Sequence, residues 1–469
     1  MAGVDKIITF SLSLQAPVAL ALNFDVAALI AATPRESSWA TSELSRVYSD
    51  DTLDGDFAAS TTPRRLAARF FAQAEAGRPR RIQVIRLTSA PSQVWDVGVN
   101  GSALSSTDYA FMLEGEDSSG DPFSEEVAIT SDGSATIAEI VTALAAAVTA
   151  LSISGVTAAA AASNTVCRVT GAAGTCVNIA LEDASGKGYG PYNLTNNLLT
   201  LTVAAADPST AIADQLAAAV LQVPGFYGLL NPYQGKAFAS AAALWTESNK
   251  RLLLQLDSDT ATATSVLSGA TDFAAAMKLA AYLRTIVLHH HRPHEAADAA
   301  WFGNRLPAVP GTEDWMMSTL AGCTPTPLTT THNTNIEARN ANWYGYIGAD
   351  GNTWEGKVAG GYFIDYIRFR DRVEARCNEG IYNLHKSLAV RAKKVPGNDT
   401  GLLMGRGALV EVLDQMVKDG SLSSFDVSTP RQVDRSSADK ATRNVSGVVI
   451  RAVSSSSIHH WDVEGVLAQ

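Results

Sequence analysis

Three kinds of hydrophobic spacing follow one another along the chain. Residues 4–14 alternate, with Ile8, Phe10, Leu12 and Leu14 apolar and Thr9, Ser11 and Ser13 polar, the two-residue period of a strand with one buried face. Short helices are expected over 49–57 and 62–73, the second opened by Thr62 and Pro63, and a strand over 81–86. From Asp207 onward the period switches back and forth. Helices are expected over 210–222, 235–249, 272–283 and 294–305, with strands over 225–230, 251–257 and 284–290. Such alternation builds a mostly parallel sheet with helical crossovers.

Between these two stretches the pattern changes. Residues 90–206 are rich in Ser, Thr, Ala and Gly, and Arg168 is the only cation between Arg86 and Lys187. Strand-like runs at 94–97, 109–113, 126–130, 166–170 and 177–181, with an Ala-rich helix over 137–151, mark an acidic α+β module inserted into the α/β domain. After residue 310 come a Pro/Thr-rich connector (324–331) and a hairpin turning at Ala349-Asp350-Gly351-Asn352. An amphipathic helix follows over 362–391, apolar at Phe363, Ile364, Ile367, Val373, Ile381 and Leu384. A break at Pro396-Gly397 and a helix over 402–418 lead to a final strand pair, 445–453 and 458–466, joined by four serines. The expected fold is therefore α/β, a mostly parallel or mixed sheet core with extended strands at both chain ends. Its parts are an N-terminal arm (1–20), a core in two pieces (21–89 and 207–310), the inserted module (90–206), a C-terminal α+β domain (311–445) and terminal strands (446–469).

Composition narrows the function. At 469 residues and 46% hydrophobic content the chain can bury several cores, and a net charge of −11 argues against a general nucleic-acid binder. The longest apolar runs are Ala-dominated and too short to span a bilayer, and the N-terminus lacks a signal-peptide pattern, so synthesis in the cytoplasm is expected without membrane insertion. Of the four cysteines, Cys167 and Cys176 flank a turn-like Gly-Ala-Ala-Gly. A hairpin there would bring them within bridging reach, whereas a reducing compartment would keep them as thiols. Cys323 and Cys377 read as buried thiols.

Candidate chemistry is sparse. His289-His290-His291 with His294 invites a metal, but consecutive strand residues point to opposite faces and cannot converge on one ion. His459-His460 reads the same way. Gly186-Lys-Gly-Tyr-Gly190 lacks the strand–loop–helix setting of a phosphate loop, Gly405-Arg-Gly407 precedes a helix without the Lys-Ser/Thr, and no nucleophile elbow is present. No catalytic, cofactor or metal site is expected. Aromatics crowd residues 343–366 without interleaved cations, which suits a packed hairpin or an interface rather than base stacking.

The block Trp354-Glu-Gly-Lys-Val-Ala-Gly-Gly-Tyr-Phe-Ile-Asp, with the long helix after it, resembles the C-terminal half of tail sheath proteins from contractile-tailed bacteriophages. The capped helix ending in Phe70-Phe71, before a basic-flanked strand, is similar to the N-terminal core of the same family. The resemblance implies a virion tail subunit, made in the host cytoplasm, that polymerises as stacked rings around an inner tube and meets baseplate and neck proteins at the ends. It also implies that the chain arms add strands to neighbouring subunits, which would make Ile8, Phe10, Leu12, Leu14, Val448, Ile450, Ile458, Trp461, Val463 and Val466 linking residues. Residues 311–445 would face the tube, with Lys386, Arg391, Lys393 and Lys394 as contact candidates. A receptor-binding tail component and an α/β enzyme with an accessory module stand as alternatives.

Overall fold

A computed structural model of the chain describes residues 23–32, 39–40, 42–49, 53–74, 77, 79–203 and 211–459. The chain divides into two compact units, one of residues 23–307 and 315–363, the other of 308–314 and the residues from Ile364 onward. The hairpin expected at the head of the C-terminal domain thus belongs to the first unit, and the long helix to the second.

The first unit begins with β1 (Ala27–Ala31), whose residues are all buried, the reading of a strand covered on both faces. Next come β2 (Ser45–Tyr48), a helical turn at Leu53–Gly55, α1 (Thr62–Phe71) and β3 (Ile82–Arg86). Thr61 stands at the cap position of α1 with Pro63 in its first turn, and the Glu116 carboxylate accepts the Thr62 N–H at 2.9 Å, satisfying a donor the helix cannot use itself.

The inserted module comprises β4 (Gln93–Val99), β5 (Asp108–Glu116), β6 (Pro122–Thr130), α2 (Ile137–Ala150), β7 (Val156–Ala161), β8 (Val166–Gly171), β9 (Cys176–Ala180) and β10 (Leu199–Val203). It forms two antiparallel sheets, β10-β4-β8-β7 and β6-β5-β9. Helix α2 starts with a reciprocal Thr136–Glu139 capping box and buries Ile140, Val141, Leu144 and Val148 among Trp95, Phe111, Val169 and Ile179. Each fully buried aliphatic side chain of this kind contributes about 1.5–3 kcal/mol. β7 and β10 were not foreseen. The expected 166–181 hairpin does not form, because β8 and β9 join different sheets. Cys167 packs in the module's core while Cys176 joins the core of the α/β sheet, and both are free thiols, so the structure contains no bridge between them.

The chain then returns through α3 (Ile212–Gln222), β11 (Gly228–Asn231), α4 (Lys236–Ser248), β12 (Leu252–Asp257), α5 (Thr260–Thr264), α6 (Phe273–Leu279), β13 (Thr285–His289), α7 (Ala297–Arg305), α8 (Thr330–Ala338), β14 (Asn342–Ile347) and β15 (Asp350–Trp354). The eight-stranded sheet runs β15-β14-β13-β12-β11-β1-β3-β2, parallel from β14 to β3 with an antiparallel strand at each edge. Helices α1 and α7 meet so closely that a Cβ on Gly303 would lie 2.1 Å from the Phe70 carbonyl oxygen, and only glycine fits. The hairpin register pairs Ile347 with Asp350, so the turn is Gly348-Ala349, two residues earlier than expected. The Thr-rich connector runs into the unforeseen helix α8, which is capped by Thr329 and His332.

The second unit holds α9 (Ile364–Val390), α10 (Asp399–Lys418), β16 (Leu422–Ser428), α11 (Ser437–Ala441) and β17 (Val449–Ser454). Its core joins Phe369, Val373, Cys377, Leu409, Leu413 and Ile450. β17 pairs with β16, a strand that the polar sequence concealed, and all but the first two residues of the run expected to follow the serines lie outside the described residues.

Candidate functional site

The second unit offers an unfinished sheet. β16 and β17 pair antiparallel from Val449–Ser428 to Ser454–Leu422, with an irregularity between Leu422 and Ser424. Alternation along β17 turns Ile450 and Ala452 into the core against α9 and α10, while Arg451 and Val453 stay exposed. Among the described residues neither outer edge of this two-stranded sheet has a strand partner. An edge of this kind leaves a row of main-chain donors and acceptors available to another strand. Beneath it the helices come close, because a Cβ on Gly380 would stand 2.9 Å from Val412 Cγ2 and 3.3 Å from the Ala408 carbonyl oxygen.

The start of α9 is tied to residues 308–314 by buried charge. Arg368, fully buried, donates to Glu313 at 2.5 Å and to the Ala308 carbonyl at 3.2 Å. Two such charges in a dry setting hold one another in place, and removing either strands the other. Asp365, half-buried close to Glu313 and Asp314, is pushed up to about 6, chiefly by burial and then by those carboxylates. His459 Nε2 lies 3.1 Å from Asp314 Oδ1 and outside any strand, which corrects its expected place in a terminal strand.

Of the expected linking residues, Ile450 is a core residue of β17, Val448 packs on the same core just before it, and Ile458 is exposed beyond the strand. Ile8, Phe10, Leu12, Leu14, Trp461, Val463 and Val466 lie outside the described residues, as does His460. Lys386 on α9 and Arg391, Lys393 and Lys394 just past its end are exposed, and among the described residues none has an ion-pair partner. Cations there complement the negative end of a 27-residue helix.

In the first unit the histidines cluster where the inserted module meets the sheet. His289 Nε2 lies 2.6 Å from the Tyr192 hydroxyl, and its Nδ1 is 3.9 Å from Asp257. His290 places its two ring nitrogens 3.0 and 2.8 Å from the Arg292 and Thr324 carbonyl oxygens. His291 Nδ1 lies 2.9 Å from Thr326 Oγ1, and His294 is 2.7 Å from Glu114. Burial pushes His290 and His291 below the usual imidazole range, and neighbouring positive charge pushes His291 further. Burial alone would raise Glu114, but its bond to His294 outweighs this and holds the carboxyl low. Among the described residues no three His, Cys, Asp or Glu side chains are arranged to hold a metal ion. Asp259, also at this seam, is pushed up to about 7 by burial and by Asp257. Residues as far apart in sequence as 114, 192, 259 and 294 gave no local signal of this assembly.

By architecture the chain is an α/β protein carrying an inserted two-sheet module and a helix-supported two-stranded sheet, open-edged among the described residues. No family model matches the chain, and no curated protein matches it. Among solved structures it is similar to a sheath tail protein from Listeria innocua, at 12% identity over 86% of each chain and a TM-score of 0.44. It is also similar to a sheath tail protein from Desulfitobacterium hafniense, at 8% identity over 90% of this chain and 93% of that one, again with a TM-score of 0.44. Likeness at that level is too slight to carry a functional argument, which rests instead on the chain's own residues.

Proposed function

We propose that this protein is the structural subunit of a contractile tail sheath. It assembles as stacked rings around an inner tail tube, with baseplate and neck proteins at the ends, and contraction drives the tube through the host envelope. The observation that carries this reading is the β16–β17 sheet, supported by α9 and α10 and unpaired on both outer edges among the described residues. Strands from the chain ends of neighbouring copies would complete it by main-chain hydrogen bonding, with alternate side chains fixing the register. Such links are strong and directional yet joined through flexible segments, so subunits can rotate and slide while remaining connected. The resemblance of residues 354–365 and the helix after them to sheath proteins supports the same reading. In this arrangement Lys386, Arg391, Lys393 and Lys394 are the cations offered to an acidic tube surface.

The test is truncation. A chain ending at Ser457 keeps every described strand and should remain a folded protomer, but should no longer form tubules. Normal tubules from that truncation would remove the C-terminal linking strand from the account.

A further inference from the structure

A cavity of about 470 Å³ lies outside the carboxyl ends of β12, β13 and β14, where open α/β sheets place their ligand clefts. Ser258 and Thr260 follow β12 into it, His291 and Arg292 follow β13, and Thr324 and Pro325 approach ahead of α8. The inserted module forms the opposite wall through Glu182, Tyr192, Asn193 and Leu194. Nothing in the assembly reading uses this space.

Charge narrows what it can hold. Arg292 is bound by Glu182 at 2.6 Å and by Glu295 at 3.3 Å, so its charge is matched before any ligand arrives. Burial keeps His291 neutral. A phosphate or carboxylate would meet a compensated guanidinium beside the Glu182 carboxylate, and a cationic ligand would meet Arg292 itself. A neutral, hydroxyl-rich ligand meets neither penalty. The part-buried Arg292–Glu182 pair sets strong donors and acceptors side by side, the Thr324 hydroxyl lies 3.0 Å from Arg292 Nη1, and Ser258 lines the same space. Part of the remaining wall is apolar: Tyr346 is 54% exposed and Leu194 80% exposed, and Pro325 and Pro327 line the same space. An exposed aromatic ring beside prolines gives a flat surface that the C–H face of a pyranose can cover, while its hydroxyls turn to the polar wall.

We propose that this cavity binds a neutral saccharide of one or two rings, with hydroxyls on the Arg292–Glu182 pair and a C–H face on Tyr346. The site is independent of the assembly reading, and either can fail without the other. Saturation-transfer NMR on the full chain tests it, using glucose, galactose, N-acetylglucosamine, maltose and lactose at millimolar concentration and inorganic phosphate as competitor. Transfer to the ring protons of at least one sugar is expected, with affinity reduced about tenfold by Tyr346→Ala and largely kept by Tyr346→Phe. Leu194→Ala, at a more exposed position, provides a second variant that leaves the fold undisturbed. No transfer from any sugar, unchanged affinity in both Tyr346→Ala and Leu194→Ala, or displacement by phosphate would each overturn the proposal.

Discussion

Arg339 offers the sharpest test of how the first unit is held together. It ends α8 fully buried, with Nε and Nη2 on the Asp272 carboxylate at 2.9–3.1 Å and further bonds to the Ser265 and Asn335 carbonyls at 2.9 and 3.0 Å. Asp272 also caps α6 by accepting the Ala275 N–H at 2.9 Å. Asp272→Asn retains an oxygen for the cap but removes the charge, leaving a guanidinium buried without its counter-ion. Breaking one side of such a pair costs about 3–5 kcal/mol, and the retained carbonyl bonds, to Ser265, Asn335 and Ala261, place the expectation near the lower end. Arg339→Met strands Asp272 and loses the carbonyl bonds, so a similar cost follows. Because each single change removes the same interaction, the double variant should lose about 2 kcal/mol or more less than the sum. Urea unfolding followed by far-UV circular dichroism measures all four proteins. Single losses under about 1 kcal/mol, or strict additivity, would refute the idea that this pair clamps α8 to α6.

Three further outcomes follow from the buried ionisable groups. Asp298, buried in the first turn of α7, is pushed up to about 7 by burial, well above its unfolded value, so folding takes up a proton and the group's penalty grows as pH rises through that window. Asp298→Asn should therefore stabilise the protein at pH 8 more than at pH 5, read as a larger rise in melting temperature at the higher pH. His290 and His291 are depressed by burial, so their neutral forms belong to the fold and stability should fall as pH drops below the ordinary imidazole range, a loss that His291→Gln should reduce in pH-dependent unfolding. Cys167, Cys176, Cys323 and Cys377 are each pushed up to about 12 by burial, so Ellman's reagent should find them silent in the native protein at pH 8 and reactive in guanidinium.

Where local pattern and tertiary need agree, the sequence was legible. The alternation after Asp207, the helix at 137–150 with its capping box and the long helix from 364 each carry their own periodicity. Elements whose reasons are tertiary were not. α8 is built from Thr, His and Asn, which favour helix weakly, and is secured by Arg339 at its end and by Asn335 donating to the Ala263 carbonyl. β16 alternates only faintly, since Ser423, Ser424 and Asp426 dominate it, and its pairing with β17 is long-range. β1 is a short run buried on both faces, with no alternation to announce it. The seam histidines and the cavity beside them draw on residues brought together only by the insertion, so spacing could expose the histidine run but not its partners.

Electron microscopy of negatively stained, purified full-length chain beside the chain ending at Ser457 tests the central claim most directly. The account predicts hollow tubules or stacked rings from the full-length protein and dispersed, folded protomers from the truncated one. A full-length chain that stays monomeric at high concentration, even with the inner tube supplied as template, would contradict it.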